Sequence, residues 1–138
     1  MPTTSAQIDA LLARSKTIAV VGLSARPERA SYEVAEYLQA QGYRIIPVNP
    51  AAAGSRILGE HCYASLSEAA GEHAIDIVDC FRKAEDIPPL VDEAIAIKAP
   101  CIWMQLGISH PAAARKAELA GLQVVMDKCT KTEHRLRF

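Results

Sequence analysis

Three observations predict an α/β domain built on a parallel sheet of about five strands. Short apolar runs recur along the chain, each too continuous for a half-exposed strand and so suited to one covered on both faces. Stretches of helical period separate them. Glycine or proline punctuates most of the joins. The resulting β-α-β-α-β-α-β-α-β alternation predicts right-handed crossovers with helices on both faces, the doubly wound, Rossmann-like arrangement. The 138 residues, 50% of them hydrophobic, suit one domain over 1–138.

Thr4 and Gln7 form a capping box, and Ile8, Leu11 and Leu12 share a face behind it, which predicts a helix over 5–14. The chain is organised around residues 17–38, TIAVVGLSARPERASYEVAEYL. There a strand over 18–21 runs into Gly22, a loop, and a helix over 31–41 that buries Val34, Tyr37 and Leu38 and stops at Gly42. Residues 44–48 (RIIPV) are the second strand. Pro47 has no N–H to give, so it is expected at the strand's end or at a gap in pairing. Residues 51–62 read as a loop.

Ser65 and Glu68 repeat the capping pattern, but Gly71 is expected to cut that helix to little more than one turn. Residues 75–81 (IDIVDCF) are the third strand, in which Asp76 and Asp79 are expected to satisfy backbone donors. Ile87, Leu90, Val91, Ala94 and Ile95 mark the clearest amphipathic helix, over 85–98, with Pro88 and Pro89 in its first turn. A fourth strand over 101–106 (CIWMQL) ends at Gly107, and its Trp103 reads as core or cleft wall. A helix over 109–120 and a fifth strand over 122–126 follow. Residues 127–138 read as a short polar, basic tail.

Net charge is −1, so no global field draws nucleic acid. No apolar run approaches the ~20 residues of a membrane span, and MPTTSAQ lacks signal-peptide features, so the expected place is the cytoplasm. Cys62, Cys80, Cys101 and Cys129 show no zinc or disulfide spacing, which predicts reduced thiols and no metal.

Ligands of open parallel sheets bind beyond the carboxyl ends of the strands, at the switch point. Arg26, Arg29, Arg82, Lys83, Lys128 and Lys131 all fall at this edge, which points to a polyanion. The loop at 22–29 reads as a phosphate site beside a helix N-terminus, but Ser24, Arg26 and Pro27 replace the later glycines of the dinucleotide fingerprint. Gly22 is expected to leave room for phosphates, so that Gly22→Val stops binding and spares the fold. A classical NAD site needs an acidic residue after the second strand; Val48, Asn49 and Pro50 stand there, against NAD.

The stretches VVGLSARPERASYEVAEYL, IIPVNP, DIVDCFR, IWMQLGI and VVMDKCTKTEHRL together resemble the small bacterial CoA-binding-domain proteins, akin to the nucleotide-binding domain of the succinyl-CoA synthetase α subunit. The resemblance implies a Rossmann-like fold that binds coenzyme A or an acyl-CoA. In it Gly22, Ser24, Ala25, Arg26 and Arg29 lie at the phosphates, Val48, Asn49, Pro50, Phe81 and Arg82 run along the nucleotide, and Gln105 and Gly107 line the cleft. Cys80 departs from the β-branched residue often found before the Phe-Arg pair.

No catalytic residue is assigned. His61, His73, His110 and His134 are scattered, with His134 expected to be solvent-facing in the tail. The residues name no protein partner. The alternative reading is an enzyme, a nucleotide-dependent oxidoreductase fragment or acyl-transfer component acting with a partner chain; a triad from Ser24, Cys129 and His134 would need to be assembled in space. Cys129, between Lys128 and Lys131, either packs under the tail or is a reactive thiol able to form a mixed disulfide with CoA.

Overall fold

A computed structural model describes residues 3–138. Met1 and Pro2, which open the stretch read for a signal peptide and the expected domain, lie outside the described residues. The elements are α1 (Ser5–Arg14), β1 (Thr17–Val21), α2 (Ala30–Ala40), β2 (Arg44–Val48), β3 (Arg56–Ile57), β4 (Glu60–His61), α3 (Leu66–Glu72), β5 (Ile77–Cys80), α4 (Ile87–Ala96), β6 (Cys101–Met104), α5 (Pro111–Leu119), β7 (Gln123–Val125) and α6 (Thr130–Arg137). Five strands form one parallel sheet in the order β2-β1-β5-β6-β7, and β3 and β4 form a separate antiparallel hairpin. The order reverses between β1 and β5, which makes their carboxyl ends the switch point.

Strand alternation sorts the core into two layers. Ile18, Val20, Ile45, Ile77 and Trp103 pack with Leu11 and Leu12 of α1 and with Val34 and Leu38 of α2. Ala19, Ile46, Val78, Ile102 and Met104 pack beneath α3, α4 and α5. The capping box at Thr4 and Gln7 is formed as expected. Asp76 also behaves as expected: its Oδ2 accepts from the backbone N–H groups of Lys16 and Thr17, each at 2.9 Å, and pins the start of β1 beside β5. Trp103 is core, 0% exposed, with its indole N–H donating to the Lys128 carbonyl at 2.8 Å.

Several expectations are corrected. Pro47 lies inside β2, opposite Val20, so of the two expected places it takes the gap in pairing and not the strand's end. β2 is the outer strand, and the Pro47 carbonyl points away from β1 to accept from the Tyr63 N–H at 3.0 Å, so the nitrogen beside it also faces outward and no bond to β1 is lost. α3 runs through Gly71 to Glu72, because Ser65 caps its start and Leu66 and Ala69 bury its inner face. The loop at 51–62 holds the β3–β4 hairpin, turned by Leu58 and Gly59, both at positive φ.

The tail is the helix α6. It has no apolar stripe, and polar contacts hold it to the α1–α2 layer. Arg137 pairs with Glu133 at 2.9 Å and with Asp9, and donates to the Ser5 hydroxyl. His134 is buried, not solvent-facing: Nδ1 is hydrogen-bonded to the Tyr37 hydroxyl at 2.8 Å, and the ring sits edge-on to Tyr37 and Tyr43. Burial lowers its pKa. Among the described residues no helix is long and apolar enough to cross a membrane.

Candidate functional site

β1 runs into Gly22, where φ is +89° and a Cβ would lie 2.4 Å from the Phe81 carbonyl oxygen. The glycine therefore lets the β1 and β5 ends close on each other, and the requirement is internal to the fold before any ligand is considered. This overturns the expectation that Gly22→Val spares the fold. Beyond Gly22 the chain turns: Ser31 Oγ accepts from the Ser24 N–H at 3.0 Å, Ser24 Oγ from the Arg26 N–H at 3.1 Å, and the Arg26 carbonyl from the Arg29 N–H at 3.1 Å. Arg29 occupies the N-cap of α2 without a side-chain capping bond, so no side chain at the cap competes for the first-turn N–H groups.

A cleft of about 540 Å³ opens there, lined by Gly22, Ser24, Ala25, Arg26, Arg29 and Phe81, all predicted from sequence. Ser31, which also lines it, was missed as a site residue; its position in the first turn of the expected helix was the available signal. A second hollow of about 220 Å³ lies at the α3–α4 side of the same edge and takes in the predicted Val48, Pro50 and Arg82, with Ser65, Pro89 and Glu93 unforeseen. Asn49 joins the ends of β1 and β2: its Nδ2 donates to the Leu23 carbonyl at 3.0 Å and its Oδ1 accepts from the Ala51 N–H at 3.0 Å.

Gln105 and Gly107 line neither hollow. Gly107 is exposed, and its N–H donates to Asp127 Oδ1 at 2.6 Å. Gln105 is 4% exposed, and its Nε2 donates to Asp79 Oδ1 at 2.6 Å and to Thr130 Oγ1 at 2.8 Å. Asp79 thus differs from expectation: its partners are side chains, Gln105 and Thr130, rather than backbone donors. Burial pushes its carboxyl up to about 7, against the lowering effect of the two hydrogen bonds. Lys131 lies over the Tyr37 ring, 5.6 Å from its centroid. A further hollow, about 720 Å³ along β7 and α5, takes in Lys128 of the basic edge but none of the residues that the resemblance assigns to CoA.

The proposed triad is not assembled: His134 is committed to Tyr37, whereas Ser24 lies in the loop before α2. Cys129 is half-buried and packs against the α1–α2 layer, while Cys62, Cys80 and Cys101 are fully buried. Burial raises the pKa of the last three. Among the described residues no cluster of three or more His, Cys, Asp or Glu could hold a metal.

A family model for the CoA binding domain matches residues 16–135. The uncharacterized protein YneT of Bacillus subtilis is 43% identical over 129 residues, covering 94% of this chain and 93% of YneT. A solved protein of Thermus thermophilus is 35% identical with a TM-score of 0.89, covering 98% of this chain and 99% of its own. A hypothetical protein from Pyrococcus horikoshii is also 35% identical, with a TM-score of 0.91 over 99% of this chain and 95% of its own.

Proposed function

The chain belongs to the CoA binding domain family, and from that premise we propose that it works as a single binding domain, holding CoA or an acyl-CoA at the carboxyl edge of its parallel sheet. One observation carries the placement: the loop cleft gathers Gly22, Ser24, Ala25, Arg26, Arg29 and Phe81 beside a helix N-terminus that has no side-chain cap. Backbone N–H groups and two guanidinium groups are the donors that phosphate oxygens take. The pyrophosphate sits at this loop. The nucleotide continues past Asn49, Pro50 and Arg82 into the smaller hollow.

The end of β2 supports CoA over a nicotinamide dinucleotide. A free ribose diol calls for a carboxylate acceptor, and this strand is followed by neutral Asn49, whose Oδ1 already accepts from the Ala51 N–H. A phosphorylated ribose meets no negative charge from Val48, Asn49 or Pro50. Among the described residues His134 is bonded to Tyr37 and Ser24 to the Arg26 N–H, and the reading is one of binding, without chemistry of its own.

Calorimetric titration of the purified chain with CoA, acetyl-CoA and NAD under one set of conditions tests this. Saturable binding of either CoA species with no response to NAD is expected. Binding of NAD without CoA overturns it.

A further inference from the structure

At the carboxyl end of β6, the two hydrogens of the Gln105 amide are both engaged, one by Asp79 Oδ1 and one by Thr130 Oγ1. The Thr130 hydroxyl in turn donates to Asp79 Oδ2 at 3.1 Å, so its oxygen is left to accept from Gln105. At pH 8 the carboxylate is ionised and has no hydrogen to give, and a flipped amide would set oxygen against oxygen. The orientation of Gln105 is thereby fixed. Its Oε1 has no protein partner among the described residues, yet no buried side-chain oxygen there lacks one. That oxygen therefore reaches the surface, although the residue is 4% exposed.

We propose that Asp79 and Thr130 are positioning residues that lock the Gln105 amide so that its carbonyl oxygen stands at the carboxyl edge of the sheet as a fixed acceptor for an N–H or O–H donor of the bound ligand. The identity of that ligand rests on the CoA reading above; the lock itself does not. A locked acceptor discriminates: a ligand amide or amine gains a hydrogen bond there, whereas an acceptor group placed at the same point is repelled and desolvates the oxygen without return. Because Thr130 opens α6, the same lock ties the start of that helix to β5 and β6. Asn at position 79 loosens it without changing shape, since one of the two carboxylate acceptors becomes an NH2 donor and either the Gln105 amide or the Thr130 hydroxyl must turn away.

The test has two arms at pH 8. In the ligand-free ¹⁵N-labelled chain, the Gln105 side-chain amide protons are expected to exchange slowly with solvent, and this protection is expected to be lost in Asp79→Asn. In CoA titrations by calorimetry, Asp79→Asn and Thr130→Val are expected to bind roughly tenfold more weakly, the scale of one lost hydrogen bond. Thr130→Ser, which keeps the hydroxyl, is expected to retain wild-type affinity, an outcome that general loosening of α6 would not give. Should Asp79→Asn fail to fold, the Thr130 pair decides. Wild-type CoA affinity in folded Asp79→Asn or Thr130→Val overturns the positioning role while leaving the CoA reading intact. A wild-type chain that binds no CoA overturns the CoA reading and the ligand role of Oε1 together, and the exchange data then uphold or refute the lock alone.

Discussion

Acidification from pH 8 to pH 5 is expected to stabilise this protein through Asp79, the opposite of what a paired carboxylate usually does. The folded carboxyl titrates at about 7 against an ordinary value near 3.8, because it is fully buried with no cation among its partners. A raised folded pKa contributes stability that is fully present below the unfolded value and is lost as pH rises through the folded one. Linkage over pH 8 to 5 gives a gain on the order of 3 kcal/mol. With about 0.3 kcal/mol per kelvin of unfolding entropy for a chain of this length, that is roughly 10 °C in Tm. His134 acts the other way: its depressed pKa contributes stability that is present above its unfolded value and lost as pH falls through the folded one. Wild type must therefore be compared with Asp79→Asn, in which His134 and the surface groups cancel. Melts by circular dichroism are expected to show wild type gaining about 10 °C on the variant between pH 8 and pH 5. A Tm difference that stays constant over that range refutes the assignment of a buried, late-titrating carboxyl at position 79.

Three further outcomes follow from the geometry. Gly22→Ala is expected to cost well over 1 kcal/mol in denaturant unfolding, and Gly22→Val more, because φ is positive and the added Cβ meets a backbone oxygen; a wild-type midpoint for Gly22→Val would mean that the β5 end moves freely. Arg26→Ala is expected to weaken CoA binding roughly tenfold and flatten its salt dependence, and an unchanged affinity and slope would remove Arg26 from the phosphate site. Ellman's reagent is expected to titrate Cys129 quickly in the native protein and all four thiols only in guanidinium, since Cys62, Cys80 and Cys101 are buried. Rapid native reaction at Cys80 or Cys101 would contradict the core described above.

The parallel sheet was legible because strands covered on both faces are written as unbroken apolar runs, IAVV and CIWM among them, and because Thr4, Pro88 and Pro89 mark helix starts by local chemistry alone. α6 was illegible for the opposite reason. Its contacts are made by Thr130, His134 and Arg137, residue types that equally spell an exposed tail, and their partners Asp79, Tyr37 and Asp9 lie far away in sequence. The β3–β4 hairpin hid behind Leu58, a residue that seldom adopts positive φ and so gives no turn signal. At the cleft, the loop at 22–29 could be read because strand, glycine and helix are contiguous. The partnership of Asp79 with Gln105 and Thr130 could not, since it depends on which strands lie side by side.

The place of β1 in the sheet also sets an order of events in folding. One of its edges is closed by β2, the next strand in the chain, but the other waits for β5, which follows only after the hairpin and α3. Until β5 inserts and Asp76 takes up the N–H groups of Lys16 and Thr17, an apolar strand presents an unpaired row of backbone groups. Closure of that long loop is the non-local step expected to limit the folding rate, and the interval before it is when an emerging or refolding chain is open to pairing with another copy. Pulsed hydrogen exchange at the β1 amides measures that interval, which would be absent if β1 and β2 became protected only together with β5.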